Sequence, residues 1–240
     1  MTKNKSLLKM IFMAMMVALG VVISPILRVE GMCPMAHFIN ITCAVFLGPY
    51  YALLCAILIG VLRMCFMGIP PLALTGAVFG AFLSGVLYRI SKGRIIFAVI
   101  GEVIGTGIIG AVVSYPIMTL LWNSNGAYSH LTWLFYVPSF IMGTLIGGSI
   151  AFLFLKKIVK NGLMQKIQAR LGSEIITKAI TKKDDAIGIG FIGIIAYIAG
   201  LALIKSVLKL QGIWLYIPYI LLVLFIAIAI IYLFIKKEEK

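Results

Sequence analysis

Apolar runs close to the length of about 20 residues that a helix needs to cross a hydrocarbon core recur along the whole of this 240-residue chain. Eight are legible: Leu7 to Leu27, Met35 to Leu47, Tyr50 to Phe66, Pro71 to Ile90, Ile95 to Leu121, Leu131 to Leu155, Ile187 to Ile204 and Ile213 to Ile235. Barrel strands would be about 10 residues long with alternating polarity, so the spacing selects helices. With 62% hydrophobic and 12% charged residues and a mean hydropathy of +1.14, the chain is an all-α integral membrane protein. The first run exceeds the 7 to 15 apolar residues usual in a signal peptide and lacks a small-x-small cleavage site, so it reads as a mature helix. Gly48-Pro49 separates the short second run from the third so tightly that the two form either an antiparallel pair or a buried re-entrant element.

The formal charge of +14 lies between the runs rather than on an aromatic-laced surface, so it reports orientation and not nucleic-acid binding. A cytoplasmic N-terminus puts seventeen of the twenty-one Lys and Arg residues inside and leaves Arg28, Arg63, Lys205 and Lys209 outside. Both termini are then cytoplasmic. The polar connection from Lys156 to Asp185 divides the organisation into a six-helix membrane domain, 1–162, a basic cytoplasmic linker, 163–185, and a two-helix appendage, 186–240. Met164 to Lys178 is either an amphipathic helix on the inner surface or a solvated linker. The last two runs carry almost no polar side chains, as an anchor or partner-binding pair would.

Small residues at i and i+4 are frequent in the first six runs: Ala14 with Ala18, Gly76 with Gly80, Gly101 with Gly105, Gly143 with Gly147. Lipid removes the hydrophobic drive for helix association, so such pairs serve close backbone packing. Ala14 and Ala18 could instead present their strip to another protein. Cys33, Cys43, Cys55 and Cys65 form no C-x-x-C pair, which removes zinc and thioredoxin-like readings; four buried thiols are favoured over a Cys33–Cys65 disulfide.

At about 1.5 Å of rise per residue, His37, Asn40, Arg63, Ser114, Tyr115, Trp133, Tyr136 and Ser139 all fall in the outer half of the bilayer. His37 and Asn40, at i and i+3, share a helix face. Trp133 and Tyr136 also suit an interfacial aromatic belt, and His37 alone would suit a packing role, but together with Asn40 and Arg63 it points to a polar pocket. Pro70-Pro71 and Asn123-Ser124-Asn125-Gly126 read as a rigid and a flexible loop over it. Glu102 is the only acidic residue with long apolar sequence on both sides. Counted from Ile95 it lies about 10 Å from the inner end, away from that pocket. It therefore reads as a buried structural or coupling carboxylate. No catalytic motif is present, and no metal site.

The segments Pro34-Met35-Ala36-His37-Phe38-Ile39-Asn40, Phe46-Leu47-Gly48-Pro49-Tyr50-Tyr51-Ala52, Val61-Leu62-Arg63, Gly101 to Gly107, Ser114-Tyr115-Pro116 and Pro138-Ser139-Phe140 resemble the ThiW family of substrate-binding S components of energy-coupling factor (ECF) transporters, over about residues 7 to 160. That resemblance implies a six-helix bundle that binds hydroxyethylthiazole or a related thiamin precursor on its outer side, within the cell membrane. It implies docking of the Ala14/Ala18 strip on a transmembrane T component, and two cytoplasmic ATPase subunits that use the ATP, with no cofactor in this chain. The expected site is His37, Asn40, Arg63, Thr75, Trp133, Tyr136 and Ser139. The chain departs from the family pattern at Met67-Gly68-Ile69-Pro70-Pro71 and Leu74-Thr75-Gly76-Ala77, and its last two helices lie outside it. A standalone proton-coupled transporter using Glu102, and a ligand-free membrane scaffold, are the rival readings.

Overall fold

Long runs without charge leave their backbone groups no water to bond, so each run closes its own hydrogen bonds as a helix. The computed structural model describes residues 2–26, 28, 32–122, 132–176, 178–202, 204 and 212–234, without the side chains of 2–4 and 202. Loop Asn123–Gly126 and Lys205, Lys209, Lys236, Lys237 and Lys240, used above, lie outside these residues. Within them the chain is helical, and seven helices are long and apolar enough to cross a membrane. An eighth, shorter apolar helix spans Pro34–Leu47.

The chain divides into two compact units, Met1–Ala179 and Ile180–Lys240. The first holds α1 (Thr2–Ile26), α2 (Pro34–Leu47), α3 (Pro49–Met67), α4 (Leu72–Ile90), α5 (Ile95–Glu102), a π-helical segment (Val103–Gly110), α6 (Ala111–Leu121), α7 (Val137–Lys160) and α8 (Leu163–Leu171). The second pairs α9 (Lys182–Ala202) with α10 (Ile217–Phe234), the latter preceded by a 3₁₀ turn over Gly212–Tyr216. In that pair Gly193 admits Phe225, Gly200 admits Pro218, and Tyr232 donates to Asp185 at 3.1 Å.

Helix α2 is the axis of the first unit. Twelve of its fourteen residues are buried, and it packs against α1, α3, α4, α5, α7 and α8. Gly48, at φ +88°, turns the chain from α2 directly into α3, and the two helices pack as a pair. A side chain at Gly48 would also strike the guanidinium of Arg89. Helix α2 is only about 21 Å long, against about 30 Å for a hydrocarbon core, so its N-terminal end starts below the ends of its neighbours. A hollow is left over it.

The expected small-residue pairs bring α4 and the α5–π segment together. Gly101 lies against the backbone of Leu83 and Ser84, and Gly105 against that of Phe79 and Gly80. On α7, Gly147 faces the carbonyl of Pro34 and the Cβ of His37. The first compact unit runs to Ala179 and includes α8. Its Gln168 is fully buried and donates to the carbonyl of Val45 at 3.0 Å, meeting an acceptor that the end of α2 leaves open. The stretch read as a surface helix or linker is thus partly a docked helix. All four cysteines are free, with Cys43 and Cys55 buried but Cys65 exposed and Cys33 half-buried.

A Cβ at Gly80 would fall on Thr106 Oγ1 and Glu102 Oε2. Gly80→Ala is therefore expected to destabilise the purified protein by about 1–3 kcal/mol, read as a lower midpoint in detergent-solubilised thermal unfolding. Gly190→Ala, whose Cβ meets nothing within 4 Å, should leave the midpoint unchanged or raise it.

Candidate functional site

The carboxylate of Glu102 is fully buried at the junction of α5 and the π-helical segment. Around it stand side chains from three helices. Oε1 accepts from Asn40 Nδ2 at 3.0 Å and Thr106 Oγ1 at 3.1 Å, and lies 2.9 Å from His37 Nδ1. Oε2 is 3.3 Å from the hydroxyl of Ser84, which also reaches the carbonyl of Ala98 at 2.8 Å. Asn40 further donates to the carbonyl of Ala77 at 3.3 Å, tying α2 to α4. An unpaired carboxylate here would be costly, and these donors are what make its burial tolerable.

The depth estimate from sequence separates Glu102 from His37 and Asn40, whereas the structure joins them. The estimate takes every run to begin at the membrane surface. Short α2 begins deeper, so His37 and Asn40 reach the level of Glu102, and Gly80 supplies the space.

Above this cluster, in the hollow over α2, lies a cavity of about 90 Å³, several times the roughly 10–15 Å³ that admits one water. Its wall comes from Arg28, past the end of α1, from the start of α2 and the residues before it, the end of α3, the starts of α4 and α7, and Thr106 of the π-helical segment. The polar groups on it are Arg28, Cys33, His37, Arg63, Thr106 and Ser139, set among apolar side chains such as Leu72 and Phe140. His37 and Thr106 therefore face both ways, lining the cavity and touching Glu102.

Of the seven residues expected to bind substrate, His37, Arg63 and Ser139 line this cavity. The other four are not on its wall. Asn40 lies beneath it, on Glu102. Thr75 is engaged with Ser114 at 2.6 Å. Trp133 is 55% exposed and packs on Tyr115, with ring centroids 4.7 Å apart. Tyr136 is buried with Ala111 and Met118. The α7 run is the reason: its helix starts at Val137, so Trp133 and Tyr136 sit in turns outside the helical register assumed for them.

Arg28, Cys33, Thr106 and Phe140 are among the lining residues that were not expected at the site from sequence. Arg28 carried a signal, being with Arg63 one of the few cations outside the cytoplasmic set. Ala14 and Ala18 are both exposed on α1, beside the exposed Ile11, Met15, Leu19 and Val22. No group of metal-ligating residues occurs among the described residues.

Apolar helices long enough to cross a membrane, packed around a cavity that carries a few polar groups, define a multi-pass membrane protein. Residues 10–161 match the family model described as thiamine-precursor transporter protein (ThiW), and the chain belongs to that family. Comparison with characterised proteins and with solved structures gives no significant match. The matched span contains the entire cavity and the Glu102 cluster, and it excludes α9 and α10.

Glu102→Gln should preserve the fold: its carbonyl can keep the three contacts of Oε1 while its amide donates to Ser84. Glu102→Ala would strand His37, Asn40 and Thr106 without their acceptor, at about 1–3 kcal/mol for each group left unsatisfied. The expected readout is a monodisperse size-exclusion peak and near-native melting for the glutamine variant, against a sharply lowered midpoint for the alanine variant.

Proposed function

We propose that this chain is the substrate-binding S component of an ECF transporter that takes up hydroxyethylthiazole or a related thiamin precursor. The observation that carries the reading is the largely apolar cavity with a few polar groups inside the family-matched region, at the end of the bundle where α1 ends and α2 begins. With both termini cytoplasmic in the cell membrane, that end faces outward. Phe140 would stack on the heterocycle, a contact of about 0.5 to 1.5 kcal/mol. His37, Ser139 and Thr106 would exchange hydrogen bonds with its ring nitrogen and hydroxyl.

The exposed Ala14/Ala18 strip suits close approach of a second helix, that of a transmembrane T component. Two cytoplasmic ATPase subunits would supply the energy, since nothing in this chain resembles a nucleotide site. Bulk at the strip then separates binding from transport. Ala14→Trp is expected to abolish uptake and co-purification with the partner subunits while ligand affinity stays at the wild-type value. Lost affinity would mean instead that the strip serves the chain's own packing.

Calorimetric titration of the purified chain with hydroxyethylthiazole, hydroxymethylpyrimidine and thiamin tests the substrate. A thiazole-dependent heat is expected, and silence with all three would overturn the assignment.

A second reading draws on the 2.9 Å contact between His37 and Glu102 at the cavity floor, which is the kind of pair a proton relay uses. A standalone proton-coupled transporter predicts uptake into liposomes by this chain alone under a pH gradient, lost in Glu102→Gln. The S-component reading predicts none without the partner subunits.

A further inference from the structure

Among the described residues of the first unit, the Arg63 guanidinium is a buried charged group left short of hydrogen-bond partners. The side chain is 5% exposed and lies on the cavity wall, yet its Nε has no hydrogen-bond partner and its Nη2 reaches only the thiol of Cys33, at 3.5 Å. Sulfur is a weak acceptor. A guanidinium stays protonated at any accessible pH, so burial cannot discharge it, and a buried cation without a counter-charge is costly. Most buried arginines meet a carboxylate. Here none among the described residues lines the cavity, and Glu102, beneath it, is occupied by His37, Asn40 and Thr106.

The surroundings deepen the imbalance. Arg28, past the end of α1 and itself exposed, lines the same cavity and adds a second positive charge at its mouth. Helices α2 and α4 begin at its wall, with the positive ends of their dipoles toward it. Two guanidiniums and two helix N-termini thus converge on a space walled otherwise by apolar groups and hydroxyls.

We infer that the group this cavity is built to receive is an oxyanion, a carboxylate or phosphate monoester borne by the heterocycle and gripped by Arg63 with Arg28. The inference rests on the reading of this cavity as the substrate site. The ring would lie toward Phe140 and Leu72, with the anion replacing the thiol as the acceptor for the Arg63 fork. The same field excludes cations. A permanently charged thiazolium, as in thiamin itself, would meet like charge with no carboxylate on the wall to offset it.

The test is titration of the full-length purified chain with hydroxyethylthiazole, its phosphate monoester, the matching thiazolyl-acetate, inorganic phosphate and thiamin. At least one of the two anionic thiazoles should bind at least about 30-fold tighter than the alcohol, the scale set by a desolvated charge pair. Whichever leads tells a phosphate from a carboxylate. Thiamin should bind weakest. In Arg63→Gln the affinity ratio of anion to alcohol should fall to about one, and Arg63→Lys should restore only part of it.

An alcohol that binds as tightly as both anions overturns the oxyanion inference and leaves the thiazole reading standing. Phosphate binding that needs Arg63, with no thiazole binding at all, keeps the anion site and overturns the thiazole. Silence with every probe overturns both. Glu30 lies outside the described residues, so Glu30→Gln belongs in the series. An anion preference that arises only in that variant would show an internal carboxylate answering Arg63, and would also overturn the inference.

Discussion

The bundle depends on one carboxylate in a place without water. Glu102 gathers a ring nitrogen, an amide and a hydroxyl at its first oxygen, with a second hydroxyl beside the other, and these come from α2, α4 and the α5–π segment. Lipid gives helices little hydrophobic reason to associate, so directional bonds and close backbone contacts must hold them. The glycines supply the contacts: Gly80 opens the pocket for the carboxylate, and Gly101 and Gly105 let α5 and the π-helical segment lie against α4. A π-helical stretch follows Glu102 directly, where such irregularities often accompany function.

From that cluster the site follows geometrically. A central helix shorter than its neighbours leaves a hollow above its first turn, and the cluster forms the floor of that hollow through His37 and Thr106. The polar groups that hold the bundle and those that line the cavity are therefore partly the same side chains. The opposite end is closed by Gln168 of α8, which ties the end of α2 to a helix beyond the last membrane-length helix of the first unit.

Much of this was legible in the sequence, for reasons that can be named. Run length and composition define the eight apolar helices, because a hydrocarbon core admits no other backbone solution. The Gly-x-x-x-Gly pairs mark the close crossings. The partner of Glu102 was not legible, since depth counted along each run assumes a common starting plane, and α2 violates it. Nor was the wall of the cavity. Trp133 and Tyr136 fall in turns before α7, while Arg28 follows α1 and the sulfur of Cys33 is close enough to accept from Arg63, facts that only the packing of several helices determines. Amphipathicity hinted at α8, but not that a buried glutamine would dock it.

The joining of α2 to α5 through His37 and Glu102 can be read as a distance. The chain has two histidines, so His130→Gln leaves His37 as the single imidazole signal. Solid-state magnetic resonance of that protein in lipid, with ¹⁵N-histidine and ¹³C-glutamate labels, measures the dipolar coupling between His37 Nδ1 and a glutamate carboxyl carbon. Strong dephasing is expected, corresponding to hydrogen-bond contact and abolished by Glu102→Gln prepared without labelled glutamine. Absence of dephasing in the protein with Glu102 intact would contradict it.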